Sequence, residues 1–236
     1  WSYFSPNSRH IFDIHTSAQA ISRDSYYGTG KDPNAYGETK DLTLVAGAQY
    51  SYVFNKCLFM PAQFTVGFEY TYNDLNDHSI GFDRSIMQTV RTAGMYIQNE
   101  WKNEKVNFVV GGRFDKHNMM RKIIFSPRAN LRYSPHEDVG LRVSYSSGYR
   151  APQAFDEDLH IDNVGGTVSM IRLADDLRVE KSQSVSISAD MYHSWGDWQG
   201  NFLVEGFFTD LADVFALKEL GINEEGILIK ERHNES

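Results

Sequence analysis

Two stretches of the chain alternate strictly between apolar and small or polar residues, and this alternation limits the folds open to the chain. In residues 42–54 and 64–72 every even position is apolar or aromatic, and the odd positions are mostly small or polar. The apolar positions are Leu42, Leu44, Ala46, Ala48, Tyr50, Tyr52, Phe54, Phe64, Val66, Phe68, Tyr70 and Tyr72. A period of two over this length is typical of a two-faced β-strand and excludes an amphipathic helix.

The same alternation recurs, more loosely in places, along most of the chain. It predicts further strands near residues 9–23, 90–101, 106–114, 123–134, 139–149, 180–191 and 202–208, and a last strand from residue 227. Together with the first two stretches these make ten predicted strands. Residues 1–4 are interpreted as the tail of an earlier strand. The sequence therefore predicts an all-β protein.

The predicted connections between these strands alternate in length. They are short at residues 5–8, 55–61, 102–105, 135–138 and 194–197, and long at 24–40, 73–89, 150–179 and 210–226, with 115–122 intermediate. Outer-membrane barrels have this asymmetry, with tight turns on one rim and longer loops on the other. A soluble sandwich is expected to distribute its loop lengths more evenly.

Composition removes several other classes. The formal net charge of −8 offers no basic stripe to nucleic acid. No run of 18 apolar residues is present, which excludes a transmembrane helix. A mean hydropathy of −0.46 is compatible with membrane strands, because their alternation keeps average hydropathy low. The single cysteine, Cys57, excludes a disulfide framework and a cysteine-based zinc cluster.

One segment carries two motifs in a fixed order. Gly148, Tyr149, Arg150, Ala151 and Pro152 end a predicted strand, since proline has no amide hydrogen for a ladder. The second motif comprises Asp176, Leu177, Glu180, Lys181 and Ser182. This pair of motifs resembles the barrel of the TonB-dependent outer-membrane receptors, although that family usually has a proline at the position of Val179.

The resemblance implies a transmembrane antiparallel β-barrel of which this chain is a part, about ten strands of a larger barrel around an N-terminal plug. Residues 1–236 would be a barrel segment, without the plug or the C-terminal strands. Such receptors lie in the bacterial outer membrane, contact its lipid, and catch a scarce nutrient such as a ferric siderophore, haem, cobalamin or glycan. The TonB complex acts on the plug to drive uptake. This implies neither an enzyme nor a cofactor.

Two alternatives stay open at this point, because a soluble sheet and a membrane barrel share the same period. A plug-free porin is one, and a soluble β-sandwich binding module is the other. Three features favour an apolar face toward lipid and a polar face toward a lumen. The apolar rows are long, aromatic residues lie at their ends, and the polar rows carry charges of both signs, as at Glu69, Arg113 and Arg128.

The candidate ligand-binding residues lie in the predicted long loops and at the ends of strands. They are Tyr26, Tyr27, Met119, Met120, Tyr149, Arg150, Phe155, Asp156, Asp158 and His160. Aromatic and methionine side chains bind ligands by stacking and dispersion, which is why rim positions of these types are chosen. Structural packing explains several of them equally well.

The acidic run at residues 156–158, with His160, is the strongest candidate in the sequence for a metal-binding or catalytic cluster. Adjacent carboxylates are able to bind Ca²⁺, but in loops they are usually solvated, and no metal site is predicted. No nucleophile elbow, zinc helix or phosphate-binding loop is present in the sequence. A hydrolase built on His117 or His160 is the remaining enzymatic alternative, and the prediction is that the chain is not an enzyme.

Overall fold

The computed structural model describes residues 1–28, 33–164 and 167–235. Its strands are β1 Ser2–Phe4, β2 His10–Tyr26, β3 Tyr36–Cys57, β4 Met60–Ser79, β5 Arg84–Lys102, β6 Val106–His117, β7 Ile124–His136, β8 Val139–Arg150, β9 Asp162–Val164, β10 Thr167–Leu173, β11 Glu180–Trp195, β12 Trp198–Ala212, β13 Val214–Ile222 and β14 Ile227–Glu235. One helical turn, α1, spans Asp156–Leu159. Among the described residues no helix has both the length and the apolar character needed to cross a membrane.

Ten strands form one antiparallel sheet, which we call the wall, in the order β1-β2-β3-β4-β5-β6-β7-β8-β11-β12. Consecutive strands are joined at one edge by tight turns at residues 5–9, 58–59, 103–105, 137–138 and 196–197. This edge is the short-turn edge, and the opposite one is the long-loop edge. The wall is open, because β1 and β12 lie at its two ends. The predicted partial barrel of about ten strands is confirmed.

The identity of the tenth strand was predicted wrongly. Residues 227–235 form β14, which belongs to a second sheet of order β13-β14-β10-β9, whereas β1 completes the wall. In this small sheet β14 runs parallel to β10 and antiparallel to β13. Alternation identifies a strand but not its sheet. The partner β10 lies in a segment that the sequence predicts to be loop, so the second sheet was not foreseen.

The predicted loops at 24–40 and 73–89 are also wrong in extent. The strands β4 and β5 continue to Ser79 and Arg84, where a single 3-10 turn joins them, and β2 and β3 continue to Tyr26 and Tyr36. Residues 29–32 and 165–166 of the predicted loops lie outside the described residues. The strand β3 has 22 residues, whereas about 9–11 suffice for a membrane crossing, so these hairpins extend well beyond an apolar band.

The outer face of the wall carries the apolar rows. Phe68, Val185 and Ile187 are 52%, 46% and 61% exposed, so these rows are not enclosed between two sheets. The β-sandwich alternative is therefore wrong. The opposite, inner face carries the polar rows and receives the segment that follows β8. This division is the one expected of a barrel with lipid outside and a polar lumen.

Aromatic side chains gather on the short-turn edge of the outer face. Trp101 stacks between Phe59 and Phe108, with ring centroids 5.5 and 5.6 Å apart, and its indole nitrogen donates to the carbonyl oxygen of Cys57 at 3.0 Å. Tyr52 meets Phe54 edge-on at 4.6 Å. An indole or phenol that is apolar at one end and hydrogen-bonded at the other suits the boundary between lipid and water.

Candidate functional site

The segment after β8 crosses the inner face of the wall and packs on the extended hairpin of β4 and β5. Pro152 ends the β8 ladder, and the backbone amide of Ala154 donates to Oε1 of Gln88 at 3.0 Å. Ala154 and Leu159 form a buried apolar cluster with Leu75 of β4. Residues 151–161 are thus a folded platform inside the long-loop edge rather than an extended loop.

Arg84 fastens this platform to the wall. Its Nη1 donates to the carbonyl oxygen of Asp158 at 2.9 Å, and its Nη2 donates to that of Leu159 at 2.8 Å. The same guanidinium pairs with the carboxylate of Asp77, which also accepts a hydrogen bond from Thr39 at 2.6 Å. Arg84 is only 7% exposed, so its charge depends on these partners.

Asp158 joins the platform to the second sheet. Its Oδ2 accepts a hydrogen bond from the amide of Phe155 at 2.7 Å, which caps α1, and another from Nη1 of Arg232 on β14 at 2.7 Å. Burial raises the pKa of Asp158, while these two hydrogen-bond donors act against the rise. We call Asp77, Arg84, Asp158 and Arg232 the rim latch.

Around the latch, a second set of contacts reaches the surface. Arg150 donates to Oε1 of Glu157 at 2.8 Å, and Arg232 donates to the same atom at 3.0 Å. The hydrogen bond from Arg150 is the main reason that the pKa of Glu157 lies below its ordinary value. The guanidinium of Arg150 also lies 3.7 Å from the ring centroid of Phe155, a cation–π contact.

Below the platform, the inner face forms a polar cavity of about 550 Å³. Tyr96 donates to Oε1 of Gln49 at 2.7 Å, and Nε2 of Gln49 donates to Asp13 at 3.0 Å. Arg113 bridges Glu69 at 3.0 Å and Asp115 at 2.8 Å. These bonds fix donors and acceptors on a water-accessible wall.

The comparisons with known proteins decide the family. Residues 1–225 match a family model described as TonB dependent receptor-like, beta-barrel. The chain belongs to this family. Its members are transport receptors rather than enzymes. Comparison with curated proteins gives no match.

Solved structures of such receptors share the fold. The siderophore receptor PirA from Pseudomonas aeruginosa is 13% identical, with a TM-score of 0.67 over 96% of this chain and 45% of that one. A mutant of the ferric enterobactin receptor PfeA from the same organism is 18% identical, with a TM-score of 0.66 over 95% and 36%. The FrpB iron transporter from Neisseria meningitidis is 15% identical, with a TM-score of 0.64 over 99% and 37%. This chain spans less than half the length of these proteins.

In this TonB-dependent receptor chain, the predicted site residues separate into groups. Arg150, Phe155, Asp156, Asp158 and His160 all lie on or beside the platform. Asp156 and His160 are the most accessible, with side chains 75% and 54% exposed and 3.4 Å apart. Asp158 is buried in the latch, so its nearest partners are internal.

The remaining predicted residues lie elsewhere on the long-loop edge. Tyr27 donates to the carbonyl oxygen of Leu159 at 3.2 Å and supports the platform, whereas Tyr26 packs against Tyr36 with ring centroids 4.8 Å apart. Met119 and Met120 follow β6 and line a separate cavity on the outer face. Tyr149 interacts with the buried Asp115. As ligand contacts, all of these stay predictions.

The acidic run does not converge on one point. Asp156 faces His160 and Arg23, while Glu157 and Asp158 turn toward arginines. In the described part of the chain, no three histidine, cysteine or acidic side chains come close enough to hold a metal ion. These carboxylates therefore organise the platform by pairing with cations.

Sequence reasoning missed Arg84 and Arg232, the two cations of the latch. Arg84 lay in a stretch predicted to be loop, and Arg232 in a stretch predicted to be wall. No clear signal for either residue is present in the sequence, because residues 84–89 lack the alternation that identifies an inward position and Arg232 lies on a strand of the second sheet.

Gly67 gives a testable detail of the inner face. Any Cβ at this position would clash with the ring of Tyr96, whose hydroxyl reaches Gln49. We expect Gly67→Ala to displace this ring and to lower the free energy of unfolding by about 1–3 kcal/mol. Gly140→Ala is the control, because a Cβ there would lie 3.9 Å from Cβ of Asp190. Equal urea midpoints for the two variants of the reconstituted receptor would contradict the prediction.

Proposed function

We propose that this chain supplies part of the barrel wall and part of the ligand-catching rim of an energy-coupled receptor in the bacterial outer membrane. The proposed ligand is a ferric siderophore; haem, cobalamin and glycan are the alternative nutrients of this uptake class. The match of residues 1–225 to the receptor barrel family carries the proposal. The siderophore receptors and the iron transporter of the same fold support the choice of ligand.

The arrangement of the two faces supports this function. The exposed apolar rows of the outer face suit lipid, and the hydrogen-bonded polar residues of the inner face suit a hydrated lumen that encloses a plug. The barrel partners of this proposal are the receptor's own plug domain, the TonB complex that acts on it, and the surrounding lipid. No nucleic acid is proposed as a partner.

The platform supports a role in binding. Because Arg84 and Asp158 hold it to the wall, its surface is ordered before a ligand arrives, and less conformational entropy is lost on binding. The platform carries the exposed Asp156 and His160, and Arg150 beside it stacks on the ring of Phe155, so a cation, an aromatic ring and hydrogen-bonding groups are present there. We propose that a chelate with aromatic or anionic donors contacts this surface.

Uptake by the full-length receptor tests the proposal. The receptor would be produced in a Gram-negative host without its own siderophore receptors and supplied with radioactive iron as catecholate or hydroxamate chelates. We expect saturable uptake that stops when the proton gradient is dissipated. Haem and cobalamin uptake would be measured in parallel. Non-saturable uptake that is insensitive to the gradient would indicate a porin instead.

A paired variant tests the binding surface. Replacing Asp156 and His160 with alanine is expected to raise the half-saturating concentration about tenfold while the maximal rate is retained. The control replaces His136 and Asp138, a similarly exposed pair 3.5 Å apart on the short-turn edge. Equal effects of the two double variants would remove the platform from the binding site.

A further inference from the structure

The wall opens on its outer face between β7 and β8. The ladder between these strands ends at Arg128 and Ser146, although β7 extends to Ile124 and β8 to Arg150. Pro127 occupies the first position beyond the ladder and has no amide hydrogen to continue it. The two strands therefore separate toward the long-loop edge.

A cavity of about 700 Å³ fills this opening, and we call it the rim cavity. Its apolar lining includes Met119, Met120, Ile123, Phe125 and Tyr145. Ile123 and Phe125 are 65% and 53% exposed and belong to the same outward row as Leu131 of β7. The cavity thus continues the lipid-facing apolar band toward the long-loop edge and is separate from the inner face.

Four cationic side chains line the rim cavity. They are those of Arg121, Lys122, Arg178 and Lys181, and among the described residues that line it Asp213 is the one carboxylate. Asp213 lies 2.9 Å from Arg178, so the other three cations have no carboxylate partner among the described lining residues. This local excess is opposite in sign to the chain's net charge of −8.

The turn that carries two of these cations is held in place. Nζ of Lys116 donates to the carbonyl oxygens of Met120 and Arg121, at 2.7 and 2.9 Å. The amide of Met119 donates to Nδ1 of His117, which is itself buried. Arg121 and Lys122 are therefore carried by an ordered turn that lines the same cavity as the apolar residues.

We propose that the rim cavity binds an anionic, phosphate-bearing lipid of the surrounding leaflet. Its acyl chain would lie against Phe125 and Ile123, and its phosphate would lie among Arg121, Lys122 and Lys181. Basic residues beside a membrane attract anionic headgroups, and an adjoining apolar surface selects an amphiphile over a free anion. This site is independent of the nutrient proposed above.

Native mass spectrometry of the full-length receptor tests the proposal with a bis-phosphorylated glucosamine lipid as probe. The same lipid without phosphates and inorganic phosphate are the comparison ligands. Replacing Arg121, Lys122 and Lys181 with glutamine is expected to weaken binding of the phosphorylated lipid about 100-fold. The matched control replaces Lys56, Lys102 and Lys105 on the short-turn edge and is expected to bind normally.

Two results of the binding measurement would overturn the inference. One is a change of less than about threefold in the rim-cavity variant. The other is displacement of the lipid by inorganic phosphate at equal concentration, which would indicate a general anion site. A second measurement needs no variant: a photoreactive acyl chain on the same lipid should label peptides containing Ile123 and Phe125. Labels spread evenly along the apolar band would equally contradict the site.

Discussion

Arg84→Met in the full-length receptor is expected to release residues 151–161 from the wall at a cost of about 3–5 kcal/mol. The substitution removes a buried cation and leaves the carboxylate of Asp77 and two platform carbonyl oxygens without their partner. Hydrogen exchange of peptides covering residues 151–161 measures the effect, because local opening exposes their amides.

Arg91→Met is the matched control for this experiment. Arg91 lies on the same strand, but its side chain is exposed and its guanidinium lies 5.7 Å from the ring centroid of Tyr72. We expect exchange in residues 151–161 to be unchanged in this variant. If both variants exchange alike, Arg84 does not hold the platform.

A double-mutant cycle at Asp158 and Arg232 separates pairing from desolvation. Removing either partner alone leaves a buried charge, whereas replacing both with apolar residues removes both charges. The double variant should therefore be less destabilised than the sum of the single variants. Additive losses would mean that the two groups are not coupled.

Phe68→Arg is expected to cost about 2–4 kcal/mol in a bilayer, because it places a charge on the lipid face near the middle of β4. Phe68 pairs in register with Ala48 and Met95 and is half exposed on the outer face. Reversible unfolding of the full-length receptor from lipid vesicles, in wild type and variant, measures this difference.

Gln63→Arg serves as the control on the same strand. Gln63 lies on the inner face and lines the polar cavity, where an added cation remains hydrated. We expect it to change the unfolding free energy by less than about 1 kcal/mol. Equal tolerance of the two arginines would contradict the assignment of the faces.

The wall was predictable because each of its strands must place one face against an apolar environment and the other against a polar one. An apolar row on one face and a polar row on the other produce a period of two, and that period survives in the sequence of β3 and β4. This requirement ends where the strands extend beyond the apolar band. There the outer positions are polar as well, as at Lys40, Asn76 and His78, so the apolar row and the alternation end, and the strand ends are interpreted as loops.

The candidate site was predictable only in part. The sequence singled out Phe155, Asp156, Asp158 and His160 as neighbours, and they are neighbours on the platform. It gave no means of pairing Asp158 with Arg232, because the two are 74 positions apart and lie on segments predicted to belong to different regions. Which charges pair is a property of tertiary packing, and local composition does not encode it.

The attachment of Asp158 to Arg232 has a consequence for chimeric receptors. The platform lies between β8 and β11 and β14 lies after β12, yet the ion pairs of Arg232 with Asp158 and Glu157 and the parallel pairing of β10 with β14 hold the two segments together. Grafting either segment alone from a relative would replace one partner of these ion pairs and leave the other partner without it. Grafts that transfer both segments together keep the ion pairs and the strand pairing, so we expect functional chimeras to exchange the two segments together.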